Sequence, residues 1–275
     1  RRPTLKAEKS ELLLNKERPR EKILLGVVHL LSLPGSPGCE DPGLEKTIGA
    51  ARRDAERLLE AGFDGYVIEN FGDLPFFPGE VPPSTTAAMT RIACELPTRE
   101  AIVIVNVLRN DPLAALSIAA GAELSGIRVN VHTSAMLTDQ GIIEGRAAET
   151  LRLRRQLGDG LAILADVDVK HAEQLGTARD ISELAGETAY RGLADGLIVT
   201  GRATGSAVDP NDLARVREAV PDRHLFIGSG ADESNIAGLL GTADGAIVGT
   251  SLKIDGRVDN EIDPGRARAW ILAAR

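Results

Sequence analysis

Cysteine is scarce: the chain has two among 275 residues, Cys39 and Cys94, far apart and without metal-ligand spacing. That count excludes a disulfide framework and a zinc cluster. It predicts a reducing compartment, with the cytosol as default. Cys94 falls in an apolar helical pattern and is expected to be a small core residue. Net positive charge is lacking too. With 32 Lys and Arg against 40 Asp and Glu, the formal charge is −8. Duplex nucleic acid is thereby excluded as the main partner, because phosphate binding needs a basic face. No apolar run nears the roughly 18–20 residues of a membrane helix, and no secretory signal pattern opens the chain. The apolar runs, such as Ala101–Val105, have strand length instead.

What is present is ordinary globular composition, 43% hydrophobic and 26% charged with 29 Gly, enough to bury a sizeable core. The first 22 residues stand apart, with eight Lys or Arg against four Glu. Leu12, Leu13 and Leu14 predict a short helix there. The mixed signs favour a helix closing the bottom of the fold over a basic arm for a membrane surface or partner.

From residue 22 onward one unit recurs: a short run rich in Val and Ile, a turn, then an amphipathic segment. The runs are Ile23–Leu30, Phe63–Glu69, Ala101–Leu108, Gly126–Val131, Leu161–Val169, Asp195–Thr200, His224–Gly228 and Asp244–Gly249. Such runs read as strands buried on both faces. Helices are predicted over Leu44–Ala61, Ser84–Leu96, Asp111–Leu124, Glu144–Leu157, Ala178–Arg191, from Asp209-Pro210 onward, Glu233–Leu240 and Pro264–Ala274. Gly62 is the expected C-cap of the first, and Asp111-Pro112 and Asp209-Pro210 are start signals. Eight β-then-α units make the α/β class a single (β/α)₈ barrel over 23–275, preceded by a helical extension over 1–22. The alternative, a doubly wound open sheet, carries a G-x-G-x-x-G loop after its first strand. Here His29-Leu30-Leu31-Ser32-Leu33-Pro34-Gly35 follows, and the glycine-rich turns come after the seventh and eighth runs.

Charge appears where a barrel is normally apolar. In Gly126–Val131, Ile127, Val129 and Val131 share one face, so Arg128 and Asn130 take the other. In Leu164–Lys170, Asp166, Asp168 and Lys170 share a face. Asn106, His29 and Thr200 end their strands, and Glu69-Asn70 ends the second. A buried unpaired charge costs several kcal/mol, so these side chains either pair or serve a ligand. Arg128 with Asp166 fits an ion pair. Asp168 and Lys170, closest to the C-terminal mouth where barrel enzymes keep their sites, fit proton handling or nucleophilic chemistry.

The loop after the seventh run reads Gly228-Ser229-Gly230-Ala231-Asp232-Glu233-Ser234-Asn235, and Gly249-Thr250-Ser251-Leu252-Lys253 follows the eighth. Glycine amides and Ser or Thr hydroxyls suit phosphate oxygens, and barrels bind phosphate at these loops. The competing reading is a pair of tight turns. Two further loops face the mouth as expected lids or substrate walls. One, after Glu69, carries Phe71, Phe76 and Phe77, three of the five Phe. The other is Thr138-Asp139-Gln140-Gly141, whose Asp139 is alternatively a helix cap.

Taken in order, Val28–Pro37, Glu69–Asp73, Asn106–Asp111, Ile127–Asn130, Thr138–Gly141, Val169–His171, Thr200–Gly205, Gly228–Gly230 and Gly249–Lys253 resemble the BtpA family over about residues 23–256. The resemblance implies a phosphate-binding type of TIM barrel. A cyanobacterial member is associated with photosystem I biogenesis at thylakoid membranes, and members in non-photosynthetic microbes imply a broader role. The family name does not assign a reaction, so residue roles rest on position and chemistry.

The resulting expectations are these. Glu69, Asp168, Lys170 and His29 are the candidate catalytic groups. Asn70, Asn106, Arg109, Arg128, Asn130, Asp139, Gln140, Asp166 and Thr200 are expected to bind substrate. Gly201, Gly228, Ser229, Gly230, Asn235, Gly249, Thr250 and Ser251 are expected to bind phosphate. The partner is a small phosphorylated sugar or nucleotide, and the chain is expected to form a homo-oligomer, cytoplasmic or peripheral at a membrane. No cofactor is predicted. Glu69, Asp166 and Asp168 are oxygen ligands of the kind Mg²⁺ takes, but Lys170 beside them neutralises them equally well.

Overall fold

The computed structural model describes residues 5–15, 21–168, 172–201 and 207–275. Helix α1 (Leu5–Leu14) precedes eight barrel strands: β1 (Ile23–His29), β2 (Gly65–Glu69), β3 (Ile102–Asn106), β4 (Gly126–Val129), β5 (Ala162–Val167), β6 (Gly196–Val199), β7 (His224–Ile227) and β8 (Gly245–Val248). They close into one parallel ring in sequence order, with β1 paired to both β2 and β8. The connecting helices are α2 (Glu45–Ala61), α3 (Pro83–Cys94), α4 (Pro112–Gly121), α5 (Ala147–Leu157), α6 (Ile181–Gly186, continued by a π-helical turn to Arg191), α7 (Pro210–Ala219), α8 (Ile236–Leu240) and α9 (Pro264–Ala274). The chain is a (β/α)₈ TIM barrel.

Strand alternation divides the core in two. Ile23, Leu25 and Val27 point into the barrel with Val67, Ile104, Leu164 and Phe226. Leu24 and Val28 point outward against the helices. Helix α2 buries Ile48, Ala51, Ala55 and Leu58 on one stripe and ends at Gly62, whose φ of 101° is the left-handed cap that its glycine permits. The Asp-Pro signals act as read. Asp111 accepts from the Ala114 amide and Asp209 from the Asn211 amide, each with Pro at the first helical position. At the lower end, Leu13 of α1 is fully buried among the inward-facing strand residues. The helix therefore stoppers the barrel floor.

The lower rim carries a repeated clamp. The side chain of the residue just before a strand accepts the second amide of the preceding one: Asp64 from Leu24 at 2.8 Å, Asp195 from Ile163 at 2.8 Å, Asp244 from Leu225 at 3.0 Å, and Ser125 from Val103 at 3.3 Å. Arg154 and Arg217 pair with Asp195 and Asp244 in turn.

Several expectations change. Cys94 is exposed on α3, not in the core. The helix expected from Glu144 starts at Ala147, because Glu144 belongs to a three-stranded antiparallel sheet of Ala135–Thr138, Gly141–Glu144 and Ala172–Gln174. That sheet had no counterpart in the sequence reading. Its inner face, Met136 and Ile143, packs on Val131. The fifth strand stops at Val167. Asp168 then takes φ 57°, a left-handed turn that ends the alternation which had grouped it with Asp166. Lys170 lies outside the described residues.

Candidate functional site

A cavity of about 890 Å³ opens at the C-terminal ends of the strands, within the range of small-molecule sites. Every barrel strand or its following loop lines it, from Val27 and His29 of β1 round to Gly249, Thr250 and Ser251 after β8.

Its floor is a buried charge cluster. Arg128 donates to Asp166 through Nε at 3.1 Å and Nη2 at 3.1 Å, and Asn130 Nδ2 adds a third bond to Asp166 Oδ2 at 2.7 Å. This is the pairing the alternation anticipated. Burial works against the Arg128 charge, but Asp166 and then Glu69 outweigh it, and its pKa is raised. Beside the cluster, Glu69 Oε2 accepts from Asn106 Nδ2 at 2.8 Å while Oε1 stands 4.0 Å from His29 Nε2. Asn106 thus orients Glu69 from behind and does not itself line the cavity. Asn70 is likewise a scaffold residue. It accepts from the Leu108 amide at 2.7 Å and donates to Asp73, which in turn accepts from the Leu33 amide at 2.7 Å. The two side chains lash the first three mouth loops together.

His29 is held neutral. Burial first, then Lys253 and Arg128, push its pKa down to about 3. His132 and His224 are also lowered, mainly by burial. An unfolded imidazole protonates near 6.5. Below that pH the unfolded chain therefore binds more protons than the fold, and stability falls as pH falls, for His29 down to about 3. Melting temperature is expected to drop steadily from pH 7 to pH 5. Each histidine adds up to about 1.4 kcal/mol per pH unit. His29→Gln should flatten the slope; a wild-type profile level across this window would refute the account.

The mouth loops after β6, β7 and β8 form a polar cradle. A Cβ at Gly228 would lie 2.4 Å from Ile198 Cγ2 and 2.6 Å from Thr200 Cγ2, so only glycine brings the backbone this close. Asn235 fastens the β7 loop by accepting from the Asp232 amide at 3.0 Å and donating to Gly230 O at 3.0 Å. Ser251 Oγ donates to Ala231 O at 3.2 Å, joining the β7 and β8 loops. Asn235 and the buried Gly201 do not line the cavity.

Among the described residues, five buried polar atoms on the cavity lining have no hydrogen-bond partner: His29 Nδ1, Asn130 Oδ1, Gln140 Oε1, Thr200 Oγ1 and Ser229 Oγ. Buried polar groups are normally satisfied, so their concentration makes this cavity the candidate ligand site.

The BtpA family model matches residues 20–275. This chain belongs to the BtpA family. It is 47% identical over 251 residues to the photosystem I biogenesis protein BtpA of Synechocystis, covering 91% of this chain and 87% of that one. An uncharacterized protein of Thermococcus kodakarensis is 44% identical, covering 92% and 95%. Among solved structures, an archaeal fructose 1,6-bisphosphate aldolase superposes with a TM-score of 0.58 at 15% identity, covering 98% of each chain. That likeness is one of fold.

In this BtpA-family barrel, Arg109, Asp139, Gln140 and Thr200, the expected substrate-binding residues, line the cavity. Asp139 and Gln140 reach it from the turn of the small antiparallel sheet. Asp168 does not. It lies at two smaller pockets, one shared with Glu173, Arg179 and Arg215. Lys253 ends the glycine motif after β8 but turns away from the mouth into a buried ion pair with Asp54 of α2 at 2.6 Å. Gly256 and Val258 also line the cavity. Sequence reading missed them because the motif it followed ended at Lys253.

Proposed function

We propose that the chain is an enzyme acting on a small phosphorylated ligand. The phosphate occupies the cradle of Gly228–Gly230 and Gly249–Ser251, and the reacting carbon skeleton lies over Glu69 and Arg128. The observation carrying this reading is the set of unsatisfied polar atoms in one cavity, with Ser229 and Thr200 at the glycine cradle. Backbone amides and hydroxyls in such a concavity are suited to phosphate oxygens. Glu69 is the candidate acid or base, because one oxygen is fixed by Asn106 while the other faces a neutral His29. Arg128 stays cationic and stabilises anionic charge that develops above it. Aldol-type cleavage, isomerisation and glycosidic-bond hydrolysis all use these parts.

The proposal routes no step through a metal. Asp166 commits both carboxylate oxygens to Arg128 and Asn130, and no group of three His, Cys, Asp or Glu gathers among the described residues. Ligand response is expected to survive EDTA, and its loss with recovery on added Mg²⁺ would overturn that part.

A thermal-shift screen of phosphorylated metabolites, each beside its dephosphorylated form, tests the reading. Stabilisation by the phosphorylated member alone is expected. At a hundredfold excess over Kd the gain is about 2.7 kcal/mol. No response to any of them would sink the proposal.

A second reading, a non-catalytic assembly factor, draws on the name of the Synechocystis relative and on one surface. Leu137 and Ile142 pair across the small sheet and are 44% and 58% exposed, with Leu175 nearby at 46%. Such an apolar face suits a protein partner. Among the described residues no helix is long and apolar enough to cross a membrane. Protein capture abolished by Leu137→Ser and Ile142→Ser, without any ligand response, would favour this reading.

A further inference from the structure

The cavity is chemically lopsided. From β6 to β8 its wall is mainly glycine backbone and hydroxyls, with Thr200, Gly228, Ser229, Gly249 and Thr250 beside Asp232, Val248 and Val258. From β2 to β4 it is aromatic and polar: Phe71, Phe76, Arg109, Asp139 and Gln140. A phosphate accounts for the first half and leaves the second without an occupant.

The aromatic part is built as a wall. Phe71 meets Phe76 at 6.2 Å between centroids and 64° between planes, and the His29 ring stands edge-on to Phe71 at 5.1 Å and 71°. Both phenyl rings are partly exposed toward the cavity. The chain has only five Phe, two Tyr and one Trp, and it spends two of them here. Wetted phenyl surface next to a polar site is favourable once a flat apolar face covers it.

Gln140 supplies the polar edge. Its Nε2 donates to Asp139 Oδ2 at 2.5 Å. A carboxylate only accepts, so this bond fixes which end of the amide is which. Among the described residues Oε1 has no partner, and it is buried on the cavity lining. A ligand N–H directed at it would satisfy it.

Distance supplies the third constraint. Eight strands about 4.8 Å apart and tilted about 36° enclose a ring about 15 Å across between backbones. The β2–β4 wall and the β7–β8 cradle lie on opposite sides of that ring. A three-carbon phosphate held in the cradle does not reach the wall, whereas a ring–pentose–phosphate chain does.

Building on the phosphate reading above, we propose that the ligand class is a mononucleotide-like molecule, with a flat N–H-bearing ring against Phe71 and Phe76 and a donor to Gln140. The sugar then lies over Glu69 and Arg128. Phe71, Phe76 and Gln140 are its specificity-determining residues.

Calorimetric titration with four nucleoside monophosphates (adenosine, guanosine, cytidine, uridine), their nucleosides and ribose 5-phosphate tests this. At least one monophosphate is expected to bind tenfold or more tightly than ribose 5-phosphate. Phe71→Leu and Gln140→Ala should each remove most of that margin while leaving ribose 5-phosphate affinity within twofold, which doubles as the check on folding. Phe76→Leu is the alternative if Phe71→Leu fails that check. Ribose 5-phosphate binding as tightly as every monophosphate overturns the ring inference and leaves the phosphate reading standing. So does a margin that survives both substitutions. Nucleosides binding as tightly as their monophosphates overturn the phosphate reading, and no binding by any probe overturns both.

Discussion

Lys253→Met is expected to destabilise the barrel by about 3–5 kcal/mol, a fall in melting temperature of roughly 6–20 °C. Lys253 Nζ and Asp54 Oδ2 are 2.6 Å apart with 2% and 7% of their side chains exposed. Removing the ammonium leaves a carboxylate buried and uncompensated, which costs far more than the intact pair contributes. Asp54 also accepts from the Ile262 amide at 2.8 Å, so it cannot rotate out to water without orphaning that donor. Adding Asp54→Asn should recover much of the loss, because the amide oxygen still accepts from Ile262 without a charge. Urea denaturation of the two variants decides the matter. A single-mutant loss under about 1 kcal/mol, or a double mutant no better than the single, would show that this buried ion pair is not what holds the segment after β8 to α2.

Glu69→Gln is expected to act on chemistry instead. Turnover of whichever phosphorylated compound the thermal screen identifies should fall by about 10²–10⁴-fold. Melting temperature should hold within a degree or two, because the glutamine carbonyl still accepts from Asn106 Nδ2 and no charge is left unpaired. Asp166→Asn provides the contrast. It strips Arg128 of its counter-charge in a buried floor and should damage stability and turnover together. Turnover unchanged in Glu69→Gln would end its assignment as acid or base, with ligand affinity showing whether it still binds.

The barrel was legible because its signals are local and periodic. Alternation in Gly126–Val131 turned Arg128 and Asn130 inward, and Asp-Pro pairs opened α4 and α7 as read. Arg128 and Asp166 came together as expected because period-2 geometry holds for as long as a strand lasts. It failed one step beyond. Val167 ends β5 and the left-handed Asp168 departs, a backbone event that no side-chain pattern announces. The antiparallel sheet was hidden for another reason: its strands are four, four and three residues long, too short for a periodic signal. Asn70, Asn106 and Asn235 were recognised as polar residues at the mouth, but spacing cannot distinguish an amide that touches ligand from one that braces a loop. Lys253 illustrates the same limit with a charge.

The clamps on the lower rim have a consequence for how the molecule breathes. Leu24, Ile163 and Leu225 each give the second amide of a strand to a carboxylate, and Val103 gives one to a hydroxyl. These are the positions from which strand ends normally fray, and here a neighbouring side chain holds each one. Solvent exchange at those four amides therefore awaits opening of the whole ring, whereas amides in the mouth loops exchange through small local excursions. The protein divides its labour along the barrel axis: one end bears the mechanical continuity, and the other is free to be rewritten loop by loop without loosening the hoop beneath it.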